Sequence, residues 1–276
     1  MSEAASRVTE IAVPGGPRLR VRCWGERGAP PLLLVHGGGA HLGWWSDIAP
    51  ALAARHWIVA PDLRGHGASQ RAESYLLEDF AADCVAVLDQ LAPGAVGLVG
   101  HSMGGRVATW IAAHHPERAR ALALLDTRLS AVPRERAEKW RGARAEAPPR
   151  RHPSQAEAMR AFRLTPAERD VPAAAMAALA AYAVVQQADG EWTLAVDRKV
   201  LAVYGSRGAD LLPLLAAVRC PLLLLRGRDS DVIGDRHAEA LAAAVPHAVQ
   251  ETVAGGHHFL LAHPATVADH LARWFA

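Results

Sequence analysis

Short apolar runs separated by helical patterns recur along this chain, and that alternation restricts it to one broad architecture. The runs at 32–36 ("LLLVH"), 57–60 ("WIVA"), 96–100 ("VGLVG"), 121–126 ("ALALLD") and 221–226 ("PLLLLR") are apolar almost without interruption. Strands of that kind are covered on both faces, as in a parallel sheet held between two layers of helices. Further strands are predicted at 18–24 and about 247–253, and helices at 45–55, 75–91, 103–115, 235–244 and 264–275. In the helix at 75–91, Leu77, Phe80, Ala81, Cys84, Val87, Leu88 and Leu91 form one stripe at helical spacing. With 276 residues, 51% of them apolar, the chain can bury a sizeable core.

The alternation breaks between 128 and 217. That stretch opens rich in Arg, Glu and Pro and then becomes Ala-rich helix. The expected organisation is a core domain from 1–127 and 218–276, with a helical cap inserted at 128–217 over the carboxyl edge of the sheet. The basic residues between Arg134 and Arg151 are interleaved with Glu135, Glu138 and Glu146, the pattern of a solvated helix face.

Composition removes several classes of function. A net charge of +2 supplies no field for nucleic acid or an anionic membrane. The longest apolar stretch, 173–185, has thirteen residues and is mostly Ala, too short to span a bilayer. Cys23, Cys84 and Cys220 are odd in number and far apart, so neither a disulfide framework nor a sulfur-ligated metal is expected. A cytoplasmic protein without metal or cofactor fits these features, and oligomeric state is not legible.

Chemistry concentrates at "LVGHSMGGRV" (98–107), where Gly-x-Ser-x-Gly lies between a strand and a helix. A serine at the apex of that turn presents its Oγ, and neighbours two positions away, Gly100 and Gly104, must be nearly hydrogen-sized. The Met103 N–H then lies at a helix N-terminus, facing developing negative charge. A serine hydroxyl needs a base within hydrogen-bond reach. Among fourteen histidines, His257 and His258 in "VAGGHHFLLAHP" follow the last strand and precede the last helix. The base in turn needs an acid. Asp229 and Asp231 in "LLLLRGRDSDVIGD" end one strand, Asp126 ends another, and spacing alone does not choose among them. In "LLLVHGGGAHLGWW" (32–45) three glycines let backbone approach a bound oxygen, and the Gly38 N–H is the second candidate oxyanion donor. A phosphate loop is excluded there, since Leu42 occupies the place of the last glycine in Gly-x-Gly-x-x-Gly. In "APDLRGHGAS" (60–69), Asp62 reads as a turn residue bonded to backbone amides.

Taken together, "HGGG", "PDLRGHGAS", "GHSMGG", the acidic loop after 221–226 and "GGHHFLLAHP" resemble the α/β-hydrolase superfamily over nearly the whole chain. The resemblance implies an α/β-hydrolase fold: a mostly parallel sheet of about eight strands, flanked by helices, with a helical cap. It implies acyl transfer through a seryl intermediate, with the order Ser…Asp…His. In relatives a Pro opens the final helix seven residues after the base. His257 has that spacing to Pro264, so His257 is preferred and His258 is the alternative. Many relatives place the acid three residues after the glycine of "RG", which here is Ser230. One branch reads Ser-Asp at this point, favouring Asp231, with Asp229 and Asp126 as alternatives. Ser102 separates the chain from branches that carry Asp at the elbow.

The resulting expectation is a serine hydrolase acting on a small ester, lactone or thioester. Ser102 is the nucleophile, His257 the base and Asp231 the acid. Gly38 and Met103 supply oxyanion donors, and Trp44, Trp45 and His101 line the pocket. Carbon–carbon bond hydrolysis, cyclisation or plain ligand binding on the same scaffold are the alternatives.

Overall fold

The structure is a computed structural model that describes residues 6–130, 149–200 and 210–276. Its main sheet contains β1 (Ser6–Ala12), β2 (Arg18–Trp24), β3 (Pro31–Val35), β4 (Trp57–Pro61), β5 (Val96–His101), β6 (Ala119–Leu125), β9 (Leu222–Gly227) and β10 (Val249–Val253). The eight strands lie in the order β1-β2-β4-β3-β5-β6-β9-β10. β1 and β2 run antiparallel at one edge, and the run from β4 to β10 is parallel. β1 carries no apolar run; only Ile11 is buried, so its pairing with β2 and not its side chains makes it a strand.

Alternation along the central strands divides the core into two layers. Leu33, Val35 and Val59 face one side, with α2 (Leu77–Leu91) and α3 (Met103–His114). Leu32, Leu34 and Ile58 face the other, with Trp45, Phe259 and α9 (Pro264–Trp274). The helix expected at 45–55 is replaced by a 3₁₀ turn, Leu42–Trp45, and a single turn α1, Ala49–Leu52. Pro50 lacks an N–H and therefore starts a helix more readily than it continues one.

Between β6 and β9 the described residues form α4 (Gln155–Ala161), α5 (Ala173–Tyr182) and an antiparallel hairpin of β7 (Val184–Gln186) and β8 (Trp192–Leu194). The insert is thus not wholly helical. Three-residue strands are too short for periodicity to show, and the Gly190 N–H bond to the Gln187 carbonyl closes their turn. Most of the basic run that begins at Arg134 lies outside the described residues. The remaining helices are α6 (Leu212–Leu215), α7 (Asp235–Ala244) and α8 (Phe259–Ala262).

Polar ties hold this insert to the core. The Gly67 N–H donates to the Ala195 carbonyl and the Asp197 N–H to the Gly65 carbonyl, each at 2.7 Å. The Tyr75 hydroxyl donates to Asp197 at 2.7 Å. His41 Nε2 meets the Leu179 carbonyl at 3.1 Å.

Candidate active site

Register brings the chemistry together. His101 pairs with Leu125 across β5 and β6, and Leu125 pairs with Leu225 across β6 and β9. Ser102, Asp126 and Arg226–Gly227 therefore emerge side by side at the carboxyl edge, where α/β sheets place functional groups. The loop after β10, which pairs with β9 through Val253 and Gly227, delivers His257 to the same point.

Ser102 occupies the turn between β5 and α3 at φ 52°, ψ −116°, a conformation a non-glycine residue holds only under strain. Close packing enforces it. A Cβ at Gly100 would run into the Gly104 carbonyl, and one at Gly104 into the Val35 carbonyl. The Ser102 N–H donates to the Leu125 carbonyl at 3.0 Å. His257 Nε2 stands 3.0 Å from Ser102 Oγ, and His257 Nδ1 2.6 Å from Asp126 Oδ2. With Nδ1–H donating to the carboxylate, Nε2 is free to accept from the serine hydroxyl.

The carboxylate on His257 thus belongs to Asp126, which corrects the preference for Asp231. Asp229 and Asp231 are exposed, whereas Asp126 is fully buried at φ 45°. Asp126 Oδ1 accepts from the Gly227 N–H at 3.1 Å, and Oδ2 also accepts from the Ser230 hydroxyl at 2.6 Å. Ser230 stands where many relatives carry the acid, and here it holds the acid supplied by the neighbouring strand. A serine in that place together with an Asp ending β6 was the signal in the sequence.

The glycine loop after β3 is held by three buried side chains, Asp62, His36 and His66. The Leu42 and Ala68 N–H groups donate to Asp62 at 2.7 and 2.9 Å, so Asp62 binds its own turn and the glycine loop together. Burial pushes the Asp62 carboxyl up to about 6. His36 Nδ1–H donates to the Gly37 carbonyl and Nε2 accepts from the Leu63 N–H. The Gly39 N–H donates to His66 Nε2 and the Ala40 N–H to the Gly37 carbonyl. The two amides after Gly38 are therefore committed, and Gly38 lies against Met103, whose sulfur would be 3.5 Å from a Cβ there.

A cavity of about 330 Å³ separates this loop from the insert. Gly38, Trp44 and His258 line its core side, and Phe162, Leu164 and Arg163 its insert side. Trp44 lines this cavity. Trp45 is a core anchor, fully buried beneath the sheet layer that includes Leu34. His101 is likewise no lining residue: it is buried under the His257 loop, with Nε2–H donating to the His257 carbonyl at 2.9 Å.

His101, His257 and His258 bring one ring nitrogen each within 4.8 Å of the others. They do not suit a resident metal, because both nitrogens of His257 are engaged by Asp126 and Ser102 and Nε2 of His101 by a carbonyl. Burial, reinforced by the charge His257 can carry, lowers His258 to about 3 and His101 well below the usual histidine range. The two flanking rings are therefore neutral beside His257.

Sequence reasoning missed Glu168 altogether. This residue of the insert accepts from the Gly256 N–H at 2.9 Å and from the His258 N–H at 2.7 Å, the amides on either side of His257. No local pattern signals a partnership across 88 residues or more.

Residues 30–264 match the alpha/beta hydrolase fold family. The chain belongs to that family. It is 40% identical over 121 residues to the pimeloyl-[acyl-carrier protein] methyl ester esterase of Chromobacterium violaceum, covering 43% of this chain and 44% of that protein. It is 39% identical over 100 residues to the 2-hydroxymuconate semialdehyde hydrolase of Pseudomonas sp. (strain CF600), covering 34% and 35%. The chain spans between about a third and a half of the length of the curated relatives it matches. Over its full extent it superposes on E-2-(acetamidomethylene)succinate hydrolase with a TM-score of 0.84 at 23% identity, covering 98% of this chain and 99% of the other, a likeness of fold. Among the described residues, no helix is long and apolar enough to cross a membrane.

Proposed function

We propose that this family member is a serine hydrolase that cleaves a carboxylic ester, lactone or thioester of small size through an acyl-enzyme. The observation that carries the reading is the chain of contacts Ser102–His257–Asp126, 3.0 and 2.6 Å long, on a strained turn at the head of α3. In this proposal His257 takes the proton of Ser102 as Oγ attacks the carbonyl, and the buried Asp126 carboxylate stabilises the imidazolium. The Gly38 and Met103 amides receive the oxyanion, Met103 with the added field of the α3 N-terminus. The imidazolium then protonates the leaving group, and a water activated by His257 releases the acid. The insert serves as a cap, and the apolar wall of Trp44, Phe162 and Leu164 receives the acyl chain.

Support comes from the esterase among its relatives. The 2-hydroxymuconate semialdehyde hydrolase favours a second reading, in which the same nucleophile cleaves a carbon–carbon bond. The deciding experiment treats wild type, Ser102→Ala, His257→Ala and His258→Ala with a fluorophosphonate, reads intact mass, and runs short p-nitrophenyl esters alongside. Labelling and turnover lost in Ser102→Ala and His257→Ala but retained in His258→Ala are expected. Labelling without ester turnover would move the assignment to the second reading, and a wild type that does neither would end both.

A further inference from the structure

Besides the Asp229 N–H bond to the Gly255 carbonyl, the base loop is held by its backbone at three points around His257. Glu168 takes two of them, accepting from the Gly256 and His258 amides, and His101 takes the third by donating to the His257 carbonyl. His101 belongs to the nucleophile turn and moves with Ser102. Glu168 belongs to the insert, which forms the other side of the cavity. A Cβ on Gly256 would stand 3.0 Å from Glu168 Oε2, a tight approach. Hydrogen bonds from amides to a carboxylate are charge-assisted and stronger than the neutral kind.

We propose that Glu168 is a positioning residue through which the seating of the insert sets the reactivity of His257, an inference that rests on the Ser102–His257 reading above. With the insert seated, both amides beside His257 are fixed and the ring is held between Ser102 and Asp126. When the insert lifts, one carboxylate withdraws and both amides lose their acceptor together. The loop is then tethered through the His257 carbonyl and, two residues earlier, through the Gly255 carbonyl, which accepts from the Asp229 N–H. Catalytic competence is thereby confined to the state with the insert seated. The two amides flank the base residue itself, so Glu168 acts on the ring's position without touching substrate.

The test uses the full-length chain as wild type, Glu168→Ala and Glu168→Gln. It measures the rate at which a small fluorophosphonate labels Ser102, together with kcat and KM for p-nitrophenyl acetate. A misplacement of about 1 Å at a reacting group costs on the order of 100-fold. Glu168→Ala is therefore expected to slow labelling and kcat by about 10- to 100-fold, with KM within about twofold. Formate, which can occupy the vacated carboxylate site, restores part of the rate in Glu168→Ala and none in wild type. Glu168→Gln keeps one acceptor and falls between the two. Should Glu168→Ala not fold, Glu168→Gln carries the same comparison. Labelling and kcat unchanged in a folded variant, or a loss confined to KM, would overturn the proposal. A wild type that the probe fails to label removes the serine nucleophile, and this inference with it. A labelled wild type with an unaffected Glu168 variant removes the inference alone.

Discussion

The carboxyl edge of the sheet and the insert above it are built on different principles. At the edge, buried strands in fixed register project Ser102 and Asp126 from adjacent positions, and nine of the twelve residues of α3 are buried beneath. In the insert, α5 buries only Leu179 and Ala180 of its ten residues, and the docking combines a few hydrogen bonds with a small apolar contact in which Phe162, Leu179, Ala180 and Ala183 join the cluster of Trp44 and Trp45. Packing sets position to a fraction of an ångström because every displaced atom loses many contacts. A docking surface of a few apolar side chains and single polar ties fixes position less tightly. Ser102 and Asp126 belong to the first regime, and the cavity wall with Glu168 to the second.

The sharpest way to break that contrast is to ask which acid serves His257. Asp126→Asn should lower kcat by about 10⁴-fold, as expected when the base loses the group that holds its tautomer, with KM little changed. Asp231→Asn should leave kcat within about twofold. The reverse pattern would place the acid on the exposed loop and detach the chemistry from the sheet register.

Acid should unfold the edge through its buried histidines. Burial lowers His41 and His66 to about 4 and His258 to about 3, and His36 and His101 well below their usual range. Each is below its unfolded value of 6.5, so the unfolded chain binds the extra protons and stability falls as pH drops from 6.5 toward 4. Asp62 runs the other way, because its carboxyl is raised to about 6 and the folded state protonates first on acidification. Together the five histidines outweigh one carboxyl. Tm should fall by more than about 10 °C between pH 7 and pH 5. A flat Tm over that range would mean that these rings are not held neutral by burial.

The smallest effect belongs to the insert. Tyr75→Phe removes the hydroxyl that donates to Asp197 and accepts from the Ala72 N–H. It should cost about 1 kcal/mol, a Tm decrease of roughly 2–4 °C, with kcat within about threefold. A collapse of the fold, or a Tm loss as large as that produced by acid, would show that the insert is an integral layer of the core.

Much of this was legible in the chain itself. Apolar runs marked the central strands because a strand covered on both faces tolerates no polar side, and "GHSMGG" marked the elbow because only glycines fit beside that turn. The nucleophile and the pair His257/His258 could be read from their neighbours, since both lie at junctions of elements with local signatures. Local signals failed where partnership spans the sheet. β1 is a strand because β2 pairs with it, and Asp126 meets His257 because β6 lies between β5 and β9. Ser230 was visible as a departure from its relatives, but its bond to Asp126 is a matter of register. Trp44 and Trp45 look alike in sequence, and a turn of the chain sends one to the cavity and the other into the core. Residue types and spacing thus determined which strands and which serine-bearing turn this protein has. The tertiary structure decided which acid, which wall and which insert residue serve them, because hydrogen bonds act over about 3 Å in space whatever the separation along the chain.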